Sequence, residues 1–298
     1  MSWLFFAIAA PFLYGITNFF DKYLIEKRVR NPMLLTFIGG LVAAVIGLVI
    51  WLIRGLPGMD FQSAAILIVS GIIFQWALIP YYKALQNEDA SRITPLFQVI
   101  PVFALILAAI FLGERLYGNQ IFGFCVILAG GIVLSLERFG RTMFRLRRSF
   151  WLMMLSSLMY TLPFVFFKSV GQPFWNALAF EFFGLGLGSI FLLIPPNSRR
   201  KVLAEFPTIS GTTWFPILIN EVIYIAGKMS TFYATTLVAV SLVTAMAAFQ
   251  PFFVLLLGTG LTIWFPRVVK ENIQKKTLLI KLIATVIIFL GVWYINKS

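Results

Sequence analysis

Predominantly apolar stretches, each near the roughly 20 residues that a helix needs to cross a hydrocarbon core, recur about ten times along this chain. They fall near residues 3–23, 32–53, 62–85, 93–112, 120–137, 150–168, 174–194, 214–233, 238–264 and 278–295. Hydrophobic residues are 60% of the chain and charged residues 12%, against about 25% charged in a soluble domain. The expected fold is therefore all-α and integral to a membrane, with ten transmembrane helices. The longest connections, near 138–149, 195–213 and 266–277, leave no room for a soluble domain of ordinary size. The opening Met-Ser-Trp-Leu-Phe-Phe lacks the basic leader and cleavage site of a signal peptide, so the first helix is expected to stay in place.

The chain also repeats itself. Residues 81–115 and 231–265 share one plan, with Tyr82 matching Phe232, Ala84 matching Ala234, Ser91 matching Ser241 and Pro101 matching Pro251. Tyr14 and Lys22 fall near Tyr160 and Lys168, and Gly131 falls near Gly291. Five helices per half is an odd number, so the second half must insert upside down relative to the first. The expected organisation is two inverted five-helix repeats, 1–137 and 150–298, joined by a basic loop at 138–149. Pseudo-symmetric halves of this kind can rock about a site held between them.

Five short motifs carry a family resemblance. They are Tyr81-Tyr82-Lys83-Ala84-Leu85, Ala90-Ser91-Arg92, Ile100-Pro101-Val102-Phe103, Leu112-Gly113-Glu114-Arg115-Leu116 and Ala129-Gly130-Gly131. With them the chain resembles the EamA family of the drug/metabolite transporter superfamily, closely in the first half and more loosely in the second. The resemblance implies ten helices in two inverted repeats, a central cavity and alternating access. The second half has Trp264-Phe265-Pro266 where the first has Gly113-Glu114-Arg115, so no role of that acidic turn carries over.

Charges inside the apolar runs single out a candidate site. An ionisable side chain at the centre of a membrane helix costs about 2.5–3.5 kcal/mol on insertion scales, which makes it a functional candidate by default. Glu181 lies well inside the seventh run, and Glu221, Tyr224 and Lys228 form a polar stripe on the eighth. Lys228 is suited to an anionic substrate group, with Glu221 and Glu181 dividing a cationic group and a coupling proton between them. The structural alternative is a buried ion pair that fixes helix packing. The first half has Gly71 and Leu78 at the equivalent positions, so the site is asymmetric. Lys22, Lys83 and Lys168 stand near helix ends, where long side chains snorkel to the interface. Asn18, Gln75 and Gln98 can bond either a substrate or a neighbouring helix. Pro101 and Pro251 are expected to kink the fourth and ninth helices and to act in gating. The small-residue spacings Gly184/Gly188 and Ala43/Gly47 read as close helix packing.

The formal charge of +13 has no soluble module to carry it to nucleic acid. Most Lys and Arg residues follow odd-numbered helices, which places those loops in the cytoplasm and both termini outside, whereas the resemblance places the termini inside. The segment Arg138 to Arg148 is also suited to anionic membrane lipids. Without histidine, and with Cys125 alone, the chain lacks the usual zinc ligands, and no nucleotide-binding loop is present. No cofactor and no enzymatic activity are expected. The expected function is secondary transport of a small polar or amphipathic metabolite in the cell membrane, plasma or inner. The alternative is flipping of a lipid-linked phosphate or glycolipid; a homodimer is open in either case.

Overall fold

A computed structural model describes residues 2–29, 31–55, 58–85, 94–135, 148–264 and 275–296. The Ala90-Ser91-Arg92 motif and most of the basic loop at 138–149 lie outside the described residues. Those that are described form helices, turns and short connections, with no strand among them. The first half holds α1 (Ser2–Lys27), α2 (Pro32–Ile53), α3 (Phe61–Trp76), α4 (Leu78–Leu85), α5 (Ile100–Leu112) and α6 (Asn119–Ser135). The second holds α7 (Arg148–Val170), α8 (Phe174–Phe191), α9 (Pro196–Glu205), α10 (Gly211–Leu237), α11 (Val240–Ala245), α12 (Gln250–Trp264) and α13 (Lys275–Asn296). Six spans are long and apolar enough to cross a membrane, or seven if the bent pair containing α9 and α10 is one span. Leu96–Leu112, Asn119–Ile132 and Val286–Ile295 are shorter apolar helices.

Local chemistry sets the ends and breaks. Asn31 caps α2, its Oδ1 accepting from the Met33 amide at 3.1 Å, with Pro32 in the first turn where its missing N–H costs nothing. Gly113 ends α5 in the left-handed region at φ 64°, a conformation that glycine adopts without a Cβ penalty. The third apolar run is two helices rather than one. Pro80 cannot donate to the Trp76 carbonyl and its ring crowds it, so the chain breaks at Ala77. The Ser156 hydroxyl donates to the Ala77 carbonyl at 2.8 Å and staples the break to α7.

Two expectations are revised in geometry. Pro101 and Pro251 do not kink the middle of a helix. Each is the second residue of an α-helix, α5 and α12, directly after a 3₁₀ segment, Thr94–Val99 and Met246–Phe249. There the fixed φ of proline suits the first turn of the α-helix, at the point where the winding changes from 3₁₀ to α. The connection at 195–213 is also not a plain loop, since it contains α9, set at 117° to α10. Arg199, Arg200 and Lys201 are exposed on α9, while Val202 is buried against the body.

Small residues bring the halves together. α8 lies against both α2 and α3, α1 packs along α10, and α6 packs along α13. A Cβ on Gly184 would strike the Ile68 backbone, and one on Gly71 would strike the Glu181 carbonyl oxygen. Gly47 faces Phe182 and Gly186 faces Ala44 in the same manner. Gly123 and Gly291 meet reciprocally, each leaving its Cβ space to the other's carbonyl. The packing role expected for Gly47, Gly184 and Gly188 is what they perform here.

Candidate functional site

Helix α10 carries the polar stripe, and its neighbours supply what surrounds it. Lys228 is 3% exposed, and its Nζ stands 3.9 Å from the centroid of the Phe74 ring and 5.0 Å from that of Tyr224. Phe74 reaches it from α3 and is itself held edge-on by Tyr160 and Phe164 of α7. Ring faces carry negative potential and attract an ammonium group at this range. Among the described residues, no ion pair within 4.0 Å joins Lys228 to a carboxylate. The direct buried pair is therefore not the arrangement adopted, although Glu181 and Glu221 both lie within electrostatic reach of Lys228.

Glu181 is fully buried on α8. Its Oε1 accepts from the Ser70 hydroxyl of α3 at 3.1 Å, and its Oε2 has no partner among the described residues. Glu221 is half-buried, and its carboxylate occupies the space left by Gly39 of α2, where a Cβ would fall 2.6 Å from Oε2. Tyr224 lies between Glu221 and Lys228 along the helix, its ring 5.5 Å from that of Tyr14. Gly227 has no side chain to block the Tyr14 ring, whose hydroxyl lies 3.5 Å from Thr231 Oγ1. The four residues singled out by sequence thus share one region between α3, α8 and α10, with α1 and α2 at its edge.

Several residues that surround the stripe were not singled out by sequence. Asp21 of α1 accepts from the Asn220 amide at 2.8 Å, and Ser70 and Phe74 contribute from the first half. Asp21 stands one turn short of the basic end of its helix and reads as an interfacial charge. Its signal was register, since it lies seven residues after Tyr14 on the same face. Of the uncharged polar residues, Asn18 is exposed, and Gln75 donates to the Thr36 carbonyl at 2.6 Å as an interhelical bond.

A second charged group lies at the opposite end of the helices. Lys168 does not snorkel outward. Its Nζ is 2.6 Å from Glu114 Oε1 and donates to the Val238 carbonyl at 2.6 Å. The Lys168–Glu114 approach is an ion pair rather than an aligned hydrogen bond. Glu114 Oε2 accepts from the Val240 amide at 2.9 Å, so one carboxylate ties α5 to α7 and to the break between α10 and α11.

Comparison with known proteins agrees with this architecture. Residues 1–136 match the EamA-like transporter family. The chain is 29% identical over 125 residues to an uncharacterized protein of Methanocaldococcus jannaschii, covering 42% of this chain and 89% of that one. It is 28% identical over 142 residues to an uncharacterized transporter encoded in the cobO 3' region of Sinorhizobium sp, covering 45% of this chain and 96% of that one. A solved crystal structure superposes with a TM-score of 0.70 at 16% identity, over 99% of this chain and 97% of the other, a likeness of fold alone. The chain is an integral, multi-pass membrane protein whose first half, residues 1–136, matches the EamA-like transporter family.

Proposed function

We propose that the protein is a secondary transporter that moves a small polar or amphipathic metabolite by alternating access between two inverted five-helix halves. The observation that carries this reading is the composition of the Lys228 region. A buried ammonium and a buried carboxylate with a free oxygen lie where helices of both halves meet, set among aromatic rings. Burying an ionised group is costly unless it is paired, and these groups are held by rings, one hydroxyl and long-range attraction instead. A substrate with an anionic group for Lys228 and a hydrogen-bonding group for Glu181 Oε2 completes that set, with Tyr224 and Glu221 lining the approach.

The packing supports two exchangeable halves. The contact of α1 with α10 has its counterpart in that of α7 with α3, and α5 with α7 has its counterpart in α12 with α1. The pairs α2/α8 and α6/α13 each join equivalent helices of the two halves. Six spans, or seven with the bent pair, are long and apolar enough to cross, and in this reading the three shorter apolar helices make up the remaining crossings of a ten-helix transporter. One pair of counterparts differs: α3 packs closely along α8, while α10 touches α2 more sparsely. Gly71 permits the close approach, while its equivalent Glu221 places its carboxylate in the space left by Gly39 of α2. Pro101 and Pro251, at matching 3₁₀-to-α junctions, are the positions where the two halves would bend.

A thermal-shift screen of metabolites and lipids on purified protein at two pH values tests the reading, with Lys228→Met as the comparison. A water-soluble ligand that stabilises the wild type and not the variant, and whose uptake into proteoliposomes the variant lacks, is the expected result. Normal transport by a well-folded Lys228→Met protein removes Lys228 from the site. Stabilisation by phosphate-bearing lipids alone replaces the metabolite with a lipid-linked substrate.

A further inference from the structure

Two turns of α10 from Lys228 toward the basic loops, a second polar group lies between α1, α2 and α10. Asp21 Oδ1 accepts from Asn220 Nδ2 at 2.8 Å. Asn220 is 4% exposed, and its carbonyl oxygen Oδ1, on the same amide, is buried with no hydrogen-bond partner among the described residues. Glu221 follows Asn220 on the same helix, lies within electrostatic reach of Asp21, and lodges its carboxylate against Gly39. Neither Asp21 nor Glu221 forms an ion pair within 4.0 Å among the described residues. Among the described residues, the ionisable groups that act on them are Tyr81 of α4, within reach of Asp21, and Lys228, whose ammonium is turned onto Phe74 and Tyr224.

We propose that Asp21, Asn220 Oδ1 and Glu221 form a binding site for a monovalent cation, which adjoins the Lys228 and Glu181 site and shares Glu221 with its approach. Two carboxylates within electrostatic reach of each other at low dielectric repel, and a buried amide oxygen without a partner carries a desolvation cost. A single positive charge seated among the three oxygens relieves both. Hard oxygen donors without thiolate or imidazole suit a proton-bearing species or an alkali ion. No group of three or more acidic, cysteine or histidine side chains that could hold a metal ion occurs among the described residues, which argues for one positive charge rather than two. The separation of Glu221 from Lys228, seven residues or about 10.5 Å along the axis, keeps the cation clear of the ammonium. If the transporter reading holds, this cation is the coupling ion; its binding does not depend on that reading.

The test reads binding without substrate. Purified protein is melted in sodium chloride and in choline chloride at equal ionic strength, then across pH 5 to 9 in choline alone, for wild type, Asp21→Asn, Asn220→Ala and Glu221→Gln. A sodium-dependent rise in Tm of about 2 °C or more that is lost in Asp21→Asn and in Asn220→Ala assigns a sodium site. A pH-dependent shift without a sodium effect, abolished in Asp21→Asn and Glu221→Gln, assigns a proton. Should Asp21→Asn fail to fold, Asn220→Ala and Glu221→Gln decide. The proposal is overturned if neither ion moves the wild-type Tm, or if the variants respond as the wild type does. Lys228→Met is expected to keep the cation response, so loss of transport and loss of cation binding are read separately.

Discussion

Single side chains at helix ends and in the buried layer carry forces that can be measured one at a time. Ser70 is the one donor to Glu181 among the described residues. Ser70→Ala leaves both carboxylate oxygens unpaired and is expected to cost about 1 to 2 kcal/mol of stability. The penalty should shrink when Glu181→Gln is added, which a double-mutant cycle by thermal melting reads directly. Asp60, exposed before α3, accepts from the Ser63 amide at 2.9 Å, and this bond holds its carboxyl below the usual carboxylate range. A depressed folded pKa means a stabilising contribution that is present above the unfolded value, about 3.9, and lost as pH falls through the folded one. Hydrogen exchange at Ser63 should accordingly quicken in Asp60→Ala at neutral pH, and in the wild type only under strong acid. Asp21 shows why part of the site was illegible in the sequence. Its position near a basic helix end gives it a bland reading, and only the antiparallel course of α1 along α10, which sets Tyr14 beside Thr231 and Asp21 beside Asn220, turns it inward.

Helices and their contacts were legible to the extent that periodicity and length speak. Each apolar run is covered by one or more described helices, but the runs at 62–85, 93–112 and 238–264 are each split, and six spans, or seven with the bent pair, are long and apolar enough to cross a membrane. What hydropathy alone does not register is where a helix breaks inside its run. Pro80, Pro101 and Pro251 are visible in the sequence, but whether each kinks, breaks or starts a helix depends on where the preceding carbonyls find partners, as the Ala77 carbonyl does on Ser156. The glycines are the converse case, since their spacing announces close packing and the structure supplies the partner. Gly184→Ala should destabilise the protein by about 1–3 kcal/mol by overpacking α8 against the Ile68 backbone. Gly260→Ala is the matched control: its Cβ would meet nothing within 4 Å, and helix propensity alone makes it neutral or slightly stabilising. Melting both variants in one detergent separates packing from propensity. Glu114→Gln removes the charge that Lys168 answers while keeping the acceptor for the Val240 amide. It should therefore loosen α7 from α5 more than it loosens α11, a difference visible as faster exchange around Lys168 than around Val240.

Charge is distributed over the whole molecule in a way that bears on its orientation. One end of the helices carries Arg28, with Arg199, Arg200 and Lys201 on α9; the other carries Arg54, Asp60, Glu114, Arg115 and Lys168, of which Lys168 and Glu114 neutralise each other. Pairing inside the protein thus removes one of the few cations from the poorer end and sharpens the asymmetry that the sequence already shows. Positively charged loops are retained on the cytoplasmic side, so the end bearing α9 is expected in the cytoplasm and both termini outside. The family resemblance gives the reverse, and a direct measurement separates them. Cys125 is the single cysteine of the chain and lies exposed on α6, so Cys125→Ser gives a thiol-free background in which one new cysteine reports its own side. Arg199→Cys, on the exposed face of α9, should resist a membrane-impermeant maleimide in intact cells and react after permeabilisation. Gly58→Cys, where a side chain meets open space before α3, should react in intact cells. The opposite pattern would mean that the basic end faces outward, and the retention of positive charge would then have been outweighed by the orientation common to the family.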